Sequence, residues 1–355
     1  MASRVTIQDI ADALGVSRNT VSKAINNTGV LASATRDKIL KKAQEMGYKQ
    51  FSYLNISETA GLSSPSVSGE RHEIALLLGN FVGNSHFAST MLDKFQRELA
   101  QLGYSLIMYR VIEEEIQNLR LPVSFRQERT AGIACIEIFD HDYCRMLCGL
   151  NIPLLFIDSP ADGFEAPLEA DRLYMDNQTE IYRFVKEMVR RGKKQIGFVG
   201  EYMHCQSFYE RYMSYRNAMY VMGLPCPEEY CLIENKQGIT GDSRRDYRSY
   251  LNEHFSRMKK LPDVFICAND ATALDVMQVL NSLNYSVPRD VYLCGFDDSP
   301  ESRVVTPSLT TIHIHSQDIG LSAVELLISR IKEPSLNYRT MYIETNLIFR
   351  ESTED

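Results

Sequence analysis

The feature that most constrains this chain is a long alternation of apolar strand-like runs with amphipathic helical segments, beginning at residue 73. The predicted strands are 73–79, 104–109, 132–138, 153–158, 172–176, 195–200, 231–235, 263–268 and 291–296. The predicted helices are 88–102, 178–191, 208–222 and one that starts at 270. Alternation of this kind indicates parallel sheets with helices on both faces.

These strands are too many for one open sheet. The segment 159–171 interrupts the rhythm with Pro160, Gly163 and Pro167, and so divides the strands into two sets. We therefore predict two doubly wound lobes, which would bind a ligand in the crevice at the carboxyl ends of their strands.

Polar residues follow several of the predicted strands. Those we assign to a binding cleft are Asn80, Asp140, Asp158, Tyr202, Asn269 and Asp297, with Arg211 at the start of a predicted helix. Each polar residue taken alone is also typical of a helix cap, and each aromatic ring is equally typical of core packing. Together they suit a polyhydroxylated ligand, because carboxylates and amides accept paired hydroxyl groups. We therefore predict a small polar effector, a sugar.

The first 50 residues differ from the rest in charge. They hold eight basic and four acidic residues, whereas the whole chain has a net charge of −8. A small basic segment on a large acidic body indicates that only this segment meets a polyanion.

The basic segment divides into three predicted helices. Thr6 can cap the first, Gly15 allows a tight turn, and Ser17 can cap the second, whose sequence is RNTVSKAIN. The third runs from about Thr35 to Met46. A helix, a short glycine turn and a second helix form the helix-turn-helix arrangement, whose second helix enters the major groove of DNA.

The second helix carries polar side chains and no acid. Arginine and lysine can donate to guanine, and asparagine can pair with adenine, while hydroxyl and amide groups suit phosphates. The predicted DNA-binding residues are Thr6, Ser17, Arg18, Asn19, Thr20, Ser22, Lys23, Asn26 and Thr35. A merely solvated polar face is the alternative, but the turn, the local charge and the absence of acids favour DNA.

The stretches TIQDIADALGVSRNTVSKAINN and TRDKILKKAQEMGY closely resemble the DNA-binding head of LacI/GalR-family bacterial transcription regulators. Later stretches, among them ERYMSYRNAMYVMGL, ANDATALDVMQVL and VYLCGFDDSPESRVVTPSLTTI, look like successive blocks of the family's effector-binding domain. The resemblance implies an all-α helix-turn-helix head joined to an α/β periplasmic-binding-protein-like body of two doubly wound parallel-sheet lobes.

Site roles follow from the same resemblance. It implies that Arg18, Asn19 and Lys23 read bases. It also implies that Arg211, Asn269 and Asp297 contact the effector, with His86 and Phe87 lining the same cleft. The sequence departs from the family pattern at two places: the pair Leu31-Ala32 stands where Val-Ser is usual, and Asp275 stands where glycine is common.

The predicted organisation is a DNA-binding domain over 1–50, a linker over 51–72 and an effector-binding domain over 73–355. The family's three crossings between lobes imply a first lobe of 73–174 plus 309–331, and a second of 175–308 plus 332–355.

The linker lacks the family's usual hinge-helix motif, since Ser57 falls where a leucine that wedges into the minor groove is expected. Its Ser, Gly and Pro content favours a flexible tether. A helix that forms on DNA, with Leu54 or Ile56 as substitute wedge, is the alternative.

The sequence disfavours a secreted protein and a metal-binding protein. The first twenty residues lack the apolar core of a signal peptide, and eight cysteines without C-x-x-C spacing indicate a reduced, cytoplasmic chain. His141, Cys144 and Cys148 lack a fourth ligand nearby, so we expect no metal site.

The motifs of nucleotide cofactors, serine hydrolases and zinc proteases are missing, so we expect neither an enzyme nor a cofactor. A free solute-binding protein would share the body, but it would lack the head and carry a signal peptide. We therefore predict a transcription regulator, a repressor, that binds double-stranded operator DNA as a homodimer, without membrane contact.

Overall fold

The computed structural model describes residues 6–25, 35, 38–39, 41–43, 46, 72–79, 86–161, 166–234 and 243–354, with the backbone alone at 25, 86–87 and 243–246. The chain divides into two compact units, Met1–Gly69 and Glu70–Asp355. The predicted linker 51–72 lies outside the described residues except for His72.

The amino-terminal unit begins with the predicted pair of helices, α1 (Ile7–Leu14) and α2 (Arg18–Ile25). Thr6 caps α1 in a capping box: its hydroxyl accepts from the Asp9 amide while the Asp9 carboxylate accepts from the Thr6 amide. Gly15 ends α1 with a φ of 64°, as the predicted turn requires. Side chains from both helices and from positions 39 and 43 form the buried core: Ile10, Ala11, Val21, Ala24, Ile39 and Ala43.

The larger unit alternates strands and helices as predicted. Its strands are β1 (Glu73–Leu78), β2 (Ser105–Arg110), β3 (Thr130–Ile136), β4 (Leu154–Ile157), β5 (Asp171–Met175), β6 (Ile196–Val199), β7 (Cys231–Leu232), β8 (Val264–Cys267), β9 (Tyr292–Cys294), β10 (Thr311–Ile314), β11 (Thr340–Ile343) and β12 (Thr345–Ile348). Its α-helices are α3 (His86–Gln101), α4 (Glu113–Gln117), α5 (His141–Cys148), α6 (Thr179–Arg190), α7 (Gln206–Val221), α8 (Ser243–Arg257), α9 (Asp270–Ser282), α10 (Pro300–Val304) and α11 (Ser316–Lys332).

Two parallel sheets organise this unit, one in each lobe. The first lobe has six strands in the order β11-β5-β4-β3-β1-β2, and the second has four in the order β7-β6-β8-β9. Strands β3 and β4 are buried along their whole length, as expected for a sheet covered on both faces. Strands β10 and β12 form a separate antiparallel pair.

The structure corrects the predicted lobe boundaries at three places. Strand β11 pairs in parallel with β5, so 340–343 belongs to the first lobe and not the second. Residues 310 and 313 bridge to 294 and 297, so the return to the first lobe begins at α11 and not at 309. Strand β5 extends to 175, which places the first crossing after that residue. The later strand β12 packs against α6 in the second lobe, as predicted.

Helix α11 covers the first lobe's sheet beside α3. The two helices approach closely at Gly320, where an added Cβ would lie 2.6 Å from the Met91 carbonyl oxygen. A larger side chain at this position would therefore separate the helices. No helix within the described parts of the chain has the length and apolar character that a membrane crossing requires.

Candidate DNA-binding helix and inter-lobe cleft

Helix α2 buries one face and exposes the other. Val21 and Ala24 are fully buried, whereas Arg18, Asn19 and Lys23 are exposed. Asn19 and Lys23 lie four residues apart and therefore share a side of the helix. The amphipathic helix thus presents two basic side chains and one amide side chain to solvent, and its first turn contains no acidic residue.

The other predicted DNA-binding residues differ in exposure and in their contacts. Ser17 caps α2, since its Oγ accepts from the Thr20 amide at 3.1 Å and lies 2.7 Å from the Thr20 hydroxyl. Ser22 and Thr35 are half-buried, and the exposed Thr6 caps α1. Asn26 lies outside the described residues.

A cleft of about 1560 Å³ lies between the two lobes of the larger unit. Four of the predicted effector-binding residues line it: Asp158, Arg211, Asn269 and Asp297. They come from the ends of β4, β8 and β9 and from helix α7. The parallel strands therefore bring together side chains that are far apart in sequence, as the fold requires.

The remaining predicted cleft residues either do not line the cleft or have side chains outside the described part of the structure. Asp140 is exposed and caps α5 by accepting from the Tyr143 amide at 2.8 Å, and it does not line the cleft. Tyr202 packs against Tyr209 and Tyr212 and does not line it either. Residues 86 and 87 begin α3, but their side chains, like Asn80 as a whole, lie outside the described part of the structure.

Arg211 is held firmly at the floor of the cleft. It lies within α7 and is only 3% exposed, and the plane of Phe296 supports it 3.5 Å away. Its Nε donates to Asn177 Oδ1 at 2.9 Å, and an Nη donates to the Ala268 carbonyl at 2.7 Å. The Asp297 carboxylate is 3.8 Å from the same Nη. The guanidinium is therefore preorganised, with its orientation fixed before any ligand binds.

Asp297 stands in an unusual electrostatic position. Burial raises the pKa of its carboxyl to about 7, with the Asp270, Asp158 and Glu137 carboxylates adding to the rise and Arg211 opposing it. Its backbone φ is 116°, a strained value for a residue other than glycine. A strained residue with a shifted pKa in a cleft is a candidate functional group.

Positive φ values recur along this cleft. Glu137 at 55°, Asp158 at 61° and Asp298 at 56° share the feature with Asp297, and all four line the cleft. Sequence inspection missed Glu137, because it follows β3 by one residue and resembles an ordinary strand end. It also missed Asn177 as the hydrogen-bond partner that orients Arg211, since only the fold brings 177 next to 211.

Asp270 and Asp298 support the cleft from below. Asp270 accepts from the Thr311 hydroxyl at 2.6 Å and from the Ser299 amide at 2.7 Å. Gly295 makes room for it, since a Cβ atom at that position would lie 2.1 Å from Asp270 Oδ1. Asp298 is paired with both Arg303 and Arg350. Both oxygens of each of these carboxylates have protein partners, whereas Asp158 accepts backbone amides at Oδ1. Asp297 and the Oδ2 atom of Asp158 are therefore the better placed acceptors for a ligand.

Comparisons with known proteins agree with this architecture. Residues 6–50 match the model of the lacI family of bacterial regulatory proteins, and residues 185–353 match a periplasmic binding protein-like domain. The chain is 28% identical over 359 residues to the HTH-type transcriptional repressor PurR of Actinobacillus pleuropneumoniae serotype 3 (strain JL03), covering 99% of this chain and 98% of that protein.

Solved structures share the fold over nearly the whole chain. A transcriptional regulator CelR in complex with cellobiose aligns with a TM-score of 0.67 at 20% identity, covering 98% of this chain and all of that one. The lac repressor dimer bound to operator and the anti-inducer ONPF aligns with a TM-score of 0.62 at 20% identity, covering 99% of each chain.

The fold and these matches define a helix-turn-helix head on a two-lobed ligand-binding body. The chain combines a lacI-family DNA-binding domain with a periplasmic binding protein-like domain. It is accordingly a DNA-binding transcription regulator, and the proteins it matches are regulators and not enzymes.

Proposed function

We propose that this protein is a cytoplasmic repressor, a homodimer on DNA, whose operator affinity is controlled by a sugar bound in the inter-lobe cleft. The observation that carries the proposal is the Arg211–Asp297 pair, preorganised in a cleft of a regulator that also presents the exposed α2 surface. The relatives named as repressors support the direction of control.

The DNA-binding part of the proposal assigns base reading to Arg18, Asn19 and Lys23 and phosphate contacts to the capping hydroxyl groups. Replacing Arg18 or Lys23 by alanine removes a donor to a guanine edge, so we expect a loss of discrimination of about 1–3 kcal/mol at one or two base positions. The measurement is relative affinity across single-base variants of a duplex that the protein selects from a random pool.

Lys41→Ala provides the matched control, because Lys41 is an exposed lysine of the same unit that lies outside α2. It should weaken binding to all sequences alike, or not at all. Unchanged base preference in both Arg18→Ala and Lys23→Ala would contradict the assignment of α2.

The effector part rests on the oxygen-rich lining of the cleft. Asp158 and Asp297 offer carboxylates, Asn269 offers an amide, and Arg211 offers donors, which together suit the adjacent hydroxyl groups of a sugar. Three lining arginines are already paired with cleft acids: Arg211 with Asp297, Arg248 with Asp275, and Arg303 with Asp298. The cleft therefore favours an uncharged polyol over an anionic ligand.

A planar heterocycle is the second candidate, favoured by a different observation. Phe139 meets His204 edge-on at 5.0 Å, and Phe208 lies 5.3 Å from the same imidazole ring. All three line the cleft, and together they form an aromatic wall. Stacking on such a wall would suit a flat base as well as the apolar face of a sugar.

Calorimetry of the full chain with cellobiose, glucose and the purine base hypoxanthine tests this proposal and separates its alternatives. Binding of either sugar supports the sugar effector, whereas binding of hypoxanthine alone favours the heterocycle. Arg211→Ala and Asp297→Ala should each reduce the affinity for a bound probe at least about tenfold, since a buried polar group would lose its partner.

Arg97→Ala is the control, since Arg97 is an exposed arginine on α3 and does not line the cleft. It should leave ligand binding unchanged. A probe that binds the two cleft variants as tightly as the parent would place its site outside the cleft.

The homodimer draws support from the outer edge of the first lobe's sheet. Strand β2 is an edge strand, and Ile107 and Met108 on it are 37% and 62% exposed. Leu102 and Ile112 flank it and are exposed as well. Apolar side chains along a sheet edge are a typical contact surface for a second copy.

A further inference from the structure

Two cysteines of the second lobe lie side by side near the surface. Cys226 stands between Pro225 and Pro227 in the turn after α7, and Cys231 opens β7, an edge strand. Their Sγ atoms are 4.0 Å apart, and both residues are half-buried. A disulfide needs about 2.0 Å between the sulfurs, which small side-chain rotations can provide from this distance.

The other cysteines stand in different surroundings. Five are buried, namely Cys135, Cys144, Cys205, Cys267 and Cys294, and Cys148 is half-buried on α5. Burial raises the pKa of each of these six thiols, which keeps them protonated and slow to react.

The environment of Cys226 favours its thiolate. The Cys231 thiol can donate to the Cys226 sulfur, and the positive charge of Arg216 lies nearby, so the pKa of Cys226 is lowered despite partial burial. The Tyr215 hydroxyl lies 3.2 Å from the Cys226 sulfur and 2.7 Å from the Ile196 carbonyl oxygen. A hydrogen bond from this hydroxyl to the sulfur also lowers the pKa of Cys226. The pair thus combines an accessible nucleophile with a neighbouring protonated thiol.

We propose that Cys226 and Cys231 form a redox modification site that peroxide converts to an intramolecular disulfide. The Cys226 thiolate attacks one oxygen of hydrogen peroxide, the O–O bond breaks, and the departing hydroxide takes a proton to become water. Cys226 is then a sulfenic acid, oxidised by two electrons. The Cys231 sulfur attacks it, the S–S bond forms, the S–O bond breaks, and the hydroxide leaves with the Cys231 proton as a second water.

This site shares an element with the cleft. Tyr215, which contacts the Cys226 sulfur, lies one turn beyond Arg211 on α7. Closing the disulfide draws Cys226 toward β7 and changes its contact with Tyr215. The proposal stands without the proposed DNA-binding or effector-binding function, because its test reads only thiol chemistry.

The sequence provides a direct assay. Trypsin cleaves after Arg216 and next after Lys236, so one peptide, 217–236, contains both cysteines and no others. After treatment of the folded full chain with one equivalent of hydrogen peroxide and alkylation, this peptide should lose two hydrogens and resist alkylation, while peptides with the other six cysteines stay alkylated. A peptide 217–236 that keeps both thiols alkylatable while another cysteine is oxidised would overturn the proposal.

Single variants identify the attacking sulfur. Cys231→Ser should leave Cys226 as a sulfenic acid that dimedone traps, whereas Cys226→Ser should leave little trapping at Cys231. The matched control Cys148→Ser, which removes the half-buried thiol on α5, should form the disulfide like the parent. Equal trapping in the two pair variants, or their joint failure to trap, would contradict the assigned roles.

Discussion

The two aspartates Asp171 and Asp297 show how surroundings decide the charge of one residue type. Burial by itself would raise the pKa of Asp171, but hydrogen bonds from Arg330 and Arg339 outweigh it and hold that pKa below its usual value. Burial raises the pKa of Asp297 to about 7, because its single arginine at 3.8 Å opposes the rise only in part and several carboxylates nearby add to it. The ionised Asp171 is suited to holding the structure together, and Asp297 is suited to exchanging its protein partner for a ligand.

Asp171→Asn should destabilise the folded chain by about 3 kcal/mol near pH 7, because it leaves the buried Arg330 without its carboxylate. The depressed folded pKa means that this contribution is complete above the unfolded value of about 3.9 and is lost as pH falls through the folded pKa. The difference between parent and variant in urea unfolding should therefore stay constant down to about pH 5 and shrink below about pH 4.

Asp93→Asn is the matched control, since Asp93 pairs with Arg97 but both side chains are more than half exposed. We expect a loss below about 1 kcal/mol for this exposed pair. A loss at Asp171 no larger than that at Asp93 would contradict the structural role of the buried network.

At the scale of elements, helix α7 links the two lobes. The side chain of its N-cap residue, Cys205, makes no capping hydrogen bond. Acceptors from the first lobe bond the first two backbone amides of the helix instead. The Gln206 amide donates to the Ser159 carbonyl at 2.8 Å, and the Ser207 amide donates to Asp158 Oδ1 at 3.2 Å. The helix that carries Arg211 is thus capped across the cleft.

Asp158→Gly should remove this cap without backbone strain, because glycine accepts the φ of 61°. We expect a loss of about 1 kcal/mol and faster hydrogen exchange at the amide of 207, whose acceptor is removed. Asp158→Asn keeps an oxygen acceptor and tolerates the same φ, so its exchange should stay close to that of the parent.

Asp140→Gly serves as the control, since Asp140 caps α5 within its own lobe. It should accelerate exchange at Tyr143 and leave 206 and 207 unchanged. If exchange at 207 is the same in Asp158→Gly as in the parent, the Asp158 cap across the cleft is not formed in solution.

The sequence predicts local elements well because their signals are local. The caps at Thr6 and Ser17, the turn at Gly15 and the strand cores are written in neighbouring residues. The carboxy-terminal segment is predicted less well: the family resemblance implies that strand β11 lies in the second lobe, whereas the structure pairs it with β5 of the first. No local signal indicates this pairing, since it joins positions about 170 residues apart. The partners of Arg211 were missed for the same reason, since Asn177 and Ala268 reach it only through the fold.

At the scale of the whole molecule, the chain consists of two segments of opposite net charge. The basic first 50 residues favour contact with DNA, and the acidic remainder discourages it. A ligand can control such a regulator only through its different affinities for two forms of the protein. Ligand binding and DNA binding must therefore respond to each other by the same factor.

The most direct test measures the affinity of the full chain for a fluorescent duplex selected from a random pool, with and without the probe that calorimetry shows to bind. We expect a saturating probe to change the DNA affinity of the parent by about tenfold or more. Asp297→Ala should bind the same DNA as tightly as the ligand-free parent and show no response to the probe. A parent whose DNA affinity is unchanged by a probe bound in the cleft, or a variant that responds like the parent, would contradict the account.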